Sequence, residues 1–185
     1  MLKTTLFSAT LAALFIGALV NFTNAQTTAA KTPALKTYVL GDGHFSIDMP
    51  GKPQKTNESG DGLSTDDYTV KIDKDEFVVT EMSLINGEPF DAEIAKIIKD
   101  TYFSSLSEGF RKHQAEGHDI EVGEAEEIAW NGLKGYQLII EVEGKTISAR
   151  VFIGERVYLM SSISEKPGFS EKVLNSFKII EKKSK

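Results

Sequence analysis

Apolar and polar residues alternate along several short stretches of this chain, and once the period changes to that of a helix. Phe45, Ile47 and Met49 alternate with Ser46 and Asp48, the period of a half-buried strand. Pro50-Gly51-Lys52-Pro53 then ends the strand, because proline donates nothing to a ladder and restricts the residue before it. That reading is preferred to a ligand-binding loop, and "NESGDG" after it reads as more loop. Leu63 to Asp73 and Glu76 to Ile85 read as two strands joined by a turn at "DKDE". In residues 91–112 the apolar positions Ile94, Ile97, Ile98, Tyr102, Leu106 and Phe110 recur at helical spacing and form one stripe. Asp91 suits the N-cap of that helix and Glu93 its first turn, while Lys112 and His113 suit its C-terminal end.

Glu121 to Ser164 predicts a four-stranded meander. Asn131-Gly132, Glu143-Gly144 and Gly154-Glu155 each offer a two-residue turn. Turns of that length put Tyr136, Leu138, Ile140, Val142, Ile147, Ala149, Val151, Ile153, Tyr158 and Met160 on one face. The second face then carries Ile128, Trp130, Leu133, Ile139, Phe152, Val157 and Leu159 among Arg150, Gln137 and serines. Pro167-Gly168 breaks the last strand, and Ser170 is read as the cap of a short helix that turns Val173, Leu174 and Phe177 inward. The class expected is α+β: an antiparallel sheet of about six or seven strands packed with one long and one short helix.

The two ends of the chain read differently from its middle. Residues 1–25 have a short positive start, an uncharged apolar run and small residues before Ala25, the pattern of a cleaved secretion signal. An uncleaved anchor is the alternative, but Leu6 to Phe22 falls short of the roughly 20 residues a span prefers. Residues 26–37 read as a flexible leader, 38–181 as a single domain and 182–185 as a disordered tail. Export would place the protein in the bacterial periplasm or outside the cell.

Charge and composition remove several function classes. The 27 acidic residues outnumber 21 basic ones, for a net charge of -6, which disfavours nucleic acid and anionic membrane surfaces as partners. The chain has no cysteine, so it has neither disulfides nor a thiol nucleophile. It contains no G-x-S-x-G, no S-x-x-K, no P-loop and no dinucleotide fingerprint. His44, His113 and His118 read as solvent-exposed. His113, Glu116 and His118 form a zinc set on paper, set aside because their segment is polar and reads as flexible. Asp61, Asp66, Asp67, Asp73, Asp75 and Glu76 could offer oxygen to calcium but do not match calcium-loop spacing, and they read as solvated turn carboxylates. No catalytic residue, no metal and no cofactor is therefore assigned.

"FSIDMPGKP" near the start, "RVFIGERVYLM" and the closing "VLNSFKII" resemble the PsbP-like superfamily, and more closely exported bacterial domains of that fold. The pattern is a strand ending in Pro50-Gly51 and Pro53, and a last strand pair followed by a helix ending in Ser176-Phe177. Met49 stands where the family usually has an aromatic residue. The resemblance implies an α/β/α arrangement and carries over no catalytic residue. The function expected is a non-catalytic exported domain, monomeric, that binds another envelope component, a protein. The alternatives are a carrier of a small apolar ligand and a hydrolase whose site the sequence does not reveal. The binding surface is expected on the second face of the meander, at Trp130, Leu133 and Phe152.

Overall fold

The computed structural model describes residues 33–166 and 168–180. The predicted signal segment, most of the leader, Pro167 and the tail lie outside the described residues. In chain order the elements are β1 (Lys36–Leu40), a 3-10 turn (Gly41–Gly43), β2 (Phe45–Met49), β3 (Gln54–Gly60), β4 (Leu63–Ile72) and β5 (Asp75–Leu84). Then come α1 (Ala92–Ala115), β6 (Ile120–Val122), β7 (Glu126–Trp130), β8 (Leu133–Val142), β9 (Lys145–Ile153), β10 (Val157–Ser164), α2 (Phe169–Leu174) and β11 (Lys178–Ile179).

Eight strands form one antiparallel sheet in the order β3-β4-β5-β10-β9-β8, with β6 and β7 pairing successive stretches of β8. β1, β2 and β11 form a small antiparallel sheet with β2 in the middle. The large sheet is covered on both sides. On one face α1 buries Ile98, Tyr102, Leu106 and Phe110 against Leu138, Ile140, Val151 and Leu159. On the other, α2 and the small sheet bury Phe45, Ile47, Met49, Val173 and Phe177 against Tyr68, Val79, Phe152 and Met160. This is an α+β domain with a long and a short helix, and β10 lies at its centre.

The helix forms as its pattern predicts. Asp91 caps it, its side chain accepting from the Ile94 amide at 2.7 Å, and Lys112 and His113 sit in the last turn. Ile97 is the exception in the predicted stripe, since it faces outward, and Phe103 is buried in its place. Two of the three predicted turns have two residues. Trp130 pairs with Leu133 and Val142 with Lys145, and Asn131 and Glu143 take the positive φ that such turns require.

The third turn differs. Ile153 pairs with Val157, so Gly154, Glu155 and Arg156 form a three-residue loop. One extra residue flips a strand. Val157 and Leu159 therefore face α1, and Tyr158 and Met160 face the small sheet, the reverse of the sequence expectation. Two further segments read as loop or leader are strands. β3 pairs with β4 through the Asp61-Gly62 turn, but all its residues are exposed, so it shows no apolar alternation. β1 starts at Lys36 and pairs with β2. Ser170 does not cap α2: Gly168 holds the N-cap position, and the Ser170 hydroxyl is buried inside the helix. Among the described residues, no helix is long and apolar enough to cross a membrane.

Candidate functional site

The residues expected to bind a partner come from β7, β8 and β9, and the structure separates them. Phe152 is fully buried, stacked on Phe177 with ring centroids 5.7 Å apart. It is a core residue and offers no surface, because β11 and α2 reach across β9 to cover it. Gly135, opposite it on β8, makes room for the ring: a Cβ there would lie 2.5 Å from Phe152 Cδ1. Trp130 and Leu133 flank the turn, half-buried against the same core together with Ile128. Beyond them the second face is open, and Ile139 is 39% exposed. The small sheet and α2 cover β5, β10 and β9 but stop short of the outer half of β8.

A polar network floors this strip. Arg150 is buried and donates to Gln137 Oε1 and Asn175 Oδ1, both at 2.7 Å, and to Glu171 on α2. Its guanidinium lies 6.0 Å from the Trp130 ring centroid, within reach of a cation–π contact. Burial holds the Arg150 pKa below its ordinary value, with the Glu171 carboxylate opposing that shift. The fork of donors, satisfied by three residues of β8 and of α2 with its C-cap, fastens α2 to β8 and β9. Next to the strip the sheet edge is broken. Gly123 passes so close to β8 that a Cβ would lie 2.8 Å from the Ile139 carbonyl oxygen. β6 and β7 thus leave a jog at 123–125, which interrupts an edge that another strand could extend.

A second cluster gathers at the 3-10 turn. Glu81 on β5 is 3% exposed, with His44 Nδ1 at 3.1 Å, Arg156 Nη1 at 3.4 Å and the Tyr158 hydroxyl at 3.5 Å. Gly41 closes over it in a left-handed conformation, where a Cβ would lie 2.4 Å from Glu81 Oε2, and its amide donates to the Tyr68 hydroxyl at 3.0 Å. "LGDGH" therefore serves to lay backbone over a carboxylate. His44, read from the sequence as exposed, is drawn into this cluster and into contact with Arg156 at 3.5 Å. Arg156, His44 and a lid of backbone thus enclose the Glu81 carboxylate.

Burial holds the Glu81 carboxyl above its ordinary value of 4.5, with Arg156 working against the shift. A raised folded-state pKa means that the folded protein binds this proton more tightly than the unfolded chain does. The stability it adds is complete below the ordinary glutamate value and is lost as pH rises through the folded one. Asp67, buried on the α1 side and also raised by burial, adds a slope of the same sign. Glu81→Gln keeps the shape and stays neutral, so the unfolding free energy of the variant should fall less steeply as pH rises from 4.5. Urea unfolding at a series of pH values reads this, and equal slopes for variant and parent would refute it.

The remaining acids read as turn carboxylates fall into three settings. Asp61 and Asp73 occupy turns at positive φ. Asp66 pairs with Lys55 at 2.9 Å, Glu76 with Lys71 at 3.0 Å, and Asp75, which is buried rather than solvated, with Lys166 at 2.8 Å. Asp67 accepts from the Thr80 hydroxyl. The three histidine and acid positions at the end of α1, separated in sequence, come together: one ligating atom each from His113, Glu116 and His118 lies within 4.8 Å of the others.

No protein-family model matches the chain, and no curated protein matches it. Among solved structures, it is similar to the solution structure of cyanobacterial PsbP from Synechocystis sp. PCC 6803. The two are 12% identical over 84% of this chain and 98% of that one, with a TM-score of 0.46. A Bacteroides thetaiotaomicron VPI-5482 protein is 14% identical over 81% of this chain and 50% of its own, with a TM-score of 0.37. A Pseudomonas aeruginosa protein of unknown function is 14% identical over 72% and 84%, with a TM-score of 0.30. The arrangement implied by the PsbP-like motifs, an antiparallel sheet with helices on its faces, is the one this domain has.

Proposed function

We propose that this chain is a non-catalytic domain, exported to the periplasm or secreted, that binds another envelope component, a protein. The observation that supports this most is the uncovered end of the second face, where Ile139 stands exposed beside half-buried Ile128, Trp130 and Leu133. Apolar groups gathered in water at one place, on a sheet whose central strands are covered on both sides, are what a partner would shield. Glu126 and Glu141 stand exposed on the same face at its rim. The partner that fits presents an apolar patch bordered by lysine or arginine, and its association weakens as salt rises. The Arg150 network fastens the floor of this surface, so its shape is held before binding.

The test is a photo-crosslinking side chain placed at position 139 in the protein made in its native cell. The expected result is an adduct with one envelope protein, reduced at high salt, and none from the same side chain at Glu108 on the outer side of α1. No adduct from position 139, or the same adducts from both positions, would overturn the reading.

A further inference from the structure

We propose that His113, Glu116 and His118 form a binding site for a divalent transition-metal ion of the zinc type. The set comes from three local pieces: the last turn of α1, its C-cap and the loop beyond. In sequence the spacing alone does not bring His118 back to His113. Gly117 does so, with a φ of +96° that turns the chain over the helix end. The His118 amide then donates to the His113 carbonyl at 3.3 Å, and the Gly117 amide to Gln114 at 3.0 Å. The two imidazole rings stand edge to face at 5.9 Å, with Glu116 Oε2 at 2.9 Å from His113 Nδ1.

The loop is not the loose polar segment its composition suggests. The Gln114 side chain donates to the Ile120 carbonyl at 2.7 Å, and the Glu143 amide donates to the Asp119 carbonyl at 2.8 Å. These bonds tie the helix exit to the β8–β9 turn. That turn also supplies Glu143, whose Oε1 lies 3.3 Å from His118 Nδ1. A carboxylate beside a histidine ring fixes its orientation and raises its basicity, as the outer partners of metal-bound histidines do. Tetrahedral ligands about 2.0–2.2 Å from zinc lie roughly 3.4 Å from one another. The three atoms, within 4.8 Å, reach that spacing by small rotations of side chains that are exposed or half-exposed.

Donor chemistry selects the ion. Two imidazoles and one carboxylate suit zinc, copper or nickel, whereas calcium and magnesium take sets built from oxygen. Three protein ligands leave a fourth position for water or for a group from another molecule.

Calorimetric titration of the tag-free protein with zinc chloride tests this, in a buffer that does not chelate. One zinc per chain is expected, with a rise in melting temperature on loading. His113→Ala and His118→Ala should each weaken binding at least tenfold and leave the zinc-free melting temperature unchanged, since both rings lie at the surface. Glu143→Gln should weaken it by less than either. Absence of binding, or binding that the double variant His113→Ala/His118→Ala leaves unchanged, would overturn the proposal.

Discussion

Replacing Phe177 by alanine is expected to cost about 3–5 kcal/mol, the largest loss from any single position named here. Phe177 is fully buried between the two layers of the second face. Its ring centroid lies 5.5 Å from Phe45 of the small sheet, 5.7 Å from Phe152 on β9 and 5.2 Å from Tyr158 on β10. Rings at these separations and tilts add attraction beyond the area they bury. Its carbonyl also accepts from the Asn131 side chain at 3.0 Å, so the residue joins α2, β11 and the β7–β8 turn. The hole left by alanine would be walled by three rings held in place by their own strands, which cannot collapse into it. Urea unfolding measures the loss. A cost below about 1 kcal/mol would show that α2 and the small sheet do not dock on the large sheet as one layer.

Leu138→Ala and Ile140→Ala are each expected to cost about 2–5 kcal/mol, and Ile139→Ala between them no more than about 0.5 kcal/mol. Leu138 and Ile140 are buried under α1 among Ile98, Tyr102 and Leu106, while Ile139 points the other way into solvent. The three residues are chemically alike and adjacent, so the contrast isolates the register of β8 from side-chain type. The same unfolding measurement decides it. Equal losses at all three positions would mean that the strand is covered on both faces along its outer half, and a large loss at Ile139 alone would mean that the register is off by one.

Local chemistry makes much of this fold legible in the sequence. A turn such as Asn131-Gly132 specifies its own backbone conformation, and with it the pairing of the strands beside it. The Asp91 cap and the apolar spacing of α1 act within a few residues of one another, so the pattern shows them directly. By the same logic, the alternation in β8 and β9 reveals which residues meet α1. In β10 that signal fails: Val157 and Leu159 on one side and Tyr158 and Met160 on the other are all apolar, because the central strand is covered on both faces. With no polar face to set the phase, the length of the Gly154–Arg156 loop alone decides it, and that is a property of the folded chain. β3 is hidden for the opposite reason, being exposed throughout, with its order coming from hydrogen bonds to β4.

Side chains whose roles depend on distant elements lay beyond the sequence. Phe152 points away from Val151 and Ile153, which meet α1, and so reads as part of an open second face, yet it is sealed by Phe177 from the far end of the chain. His44 sits on the polar side of its strand, but Glu81 and Arg156 meet it there, from 37 and 112 residues away. His113 and His118 could be counted as ligands from the sequence, whereas their meeting depends on the backbone turn at Gly117 and on Glu143 from another hairpin. Patterning determined β2, β4, β5, the strands β7 to β10, the long helix and the α+β class, because those follow from contacts between near neighbours. Tertiary structure decided which faces are closed and which charged groups meet, because both depend on layers that pack against one another only after the strands are in place.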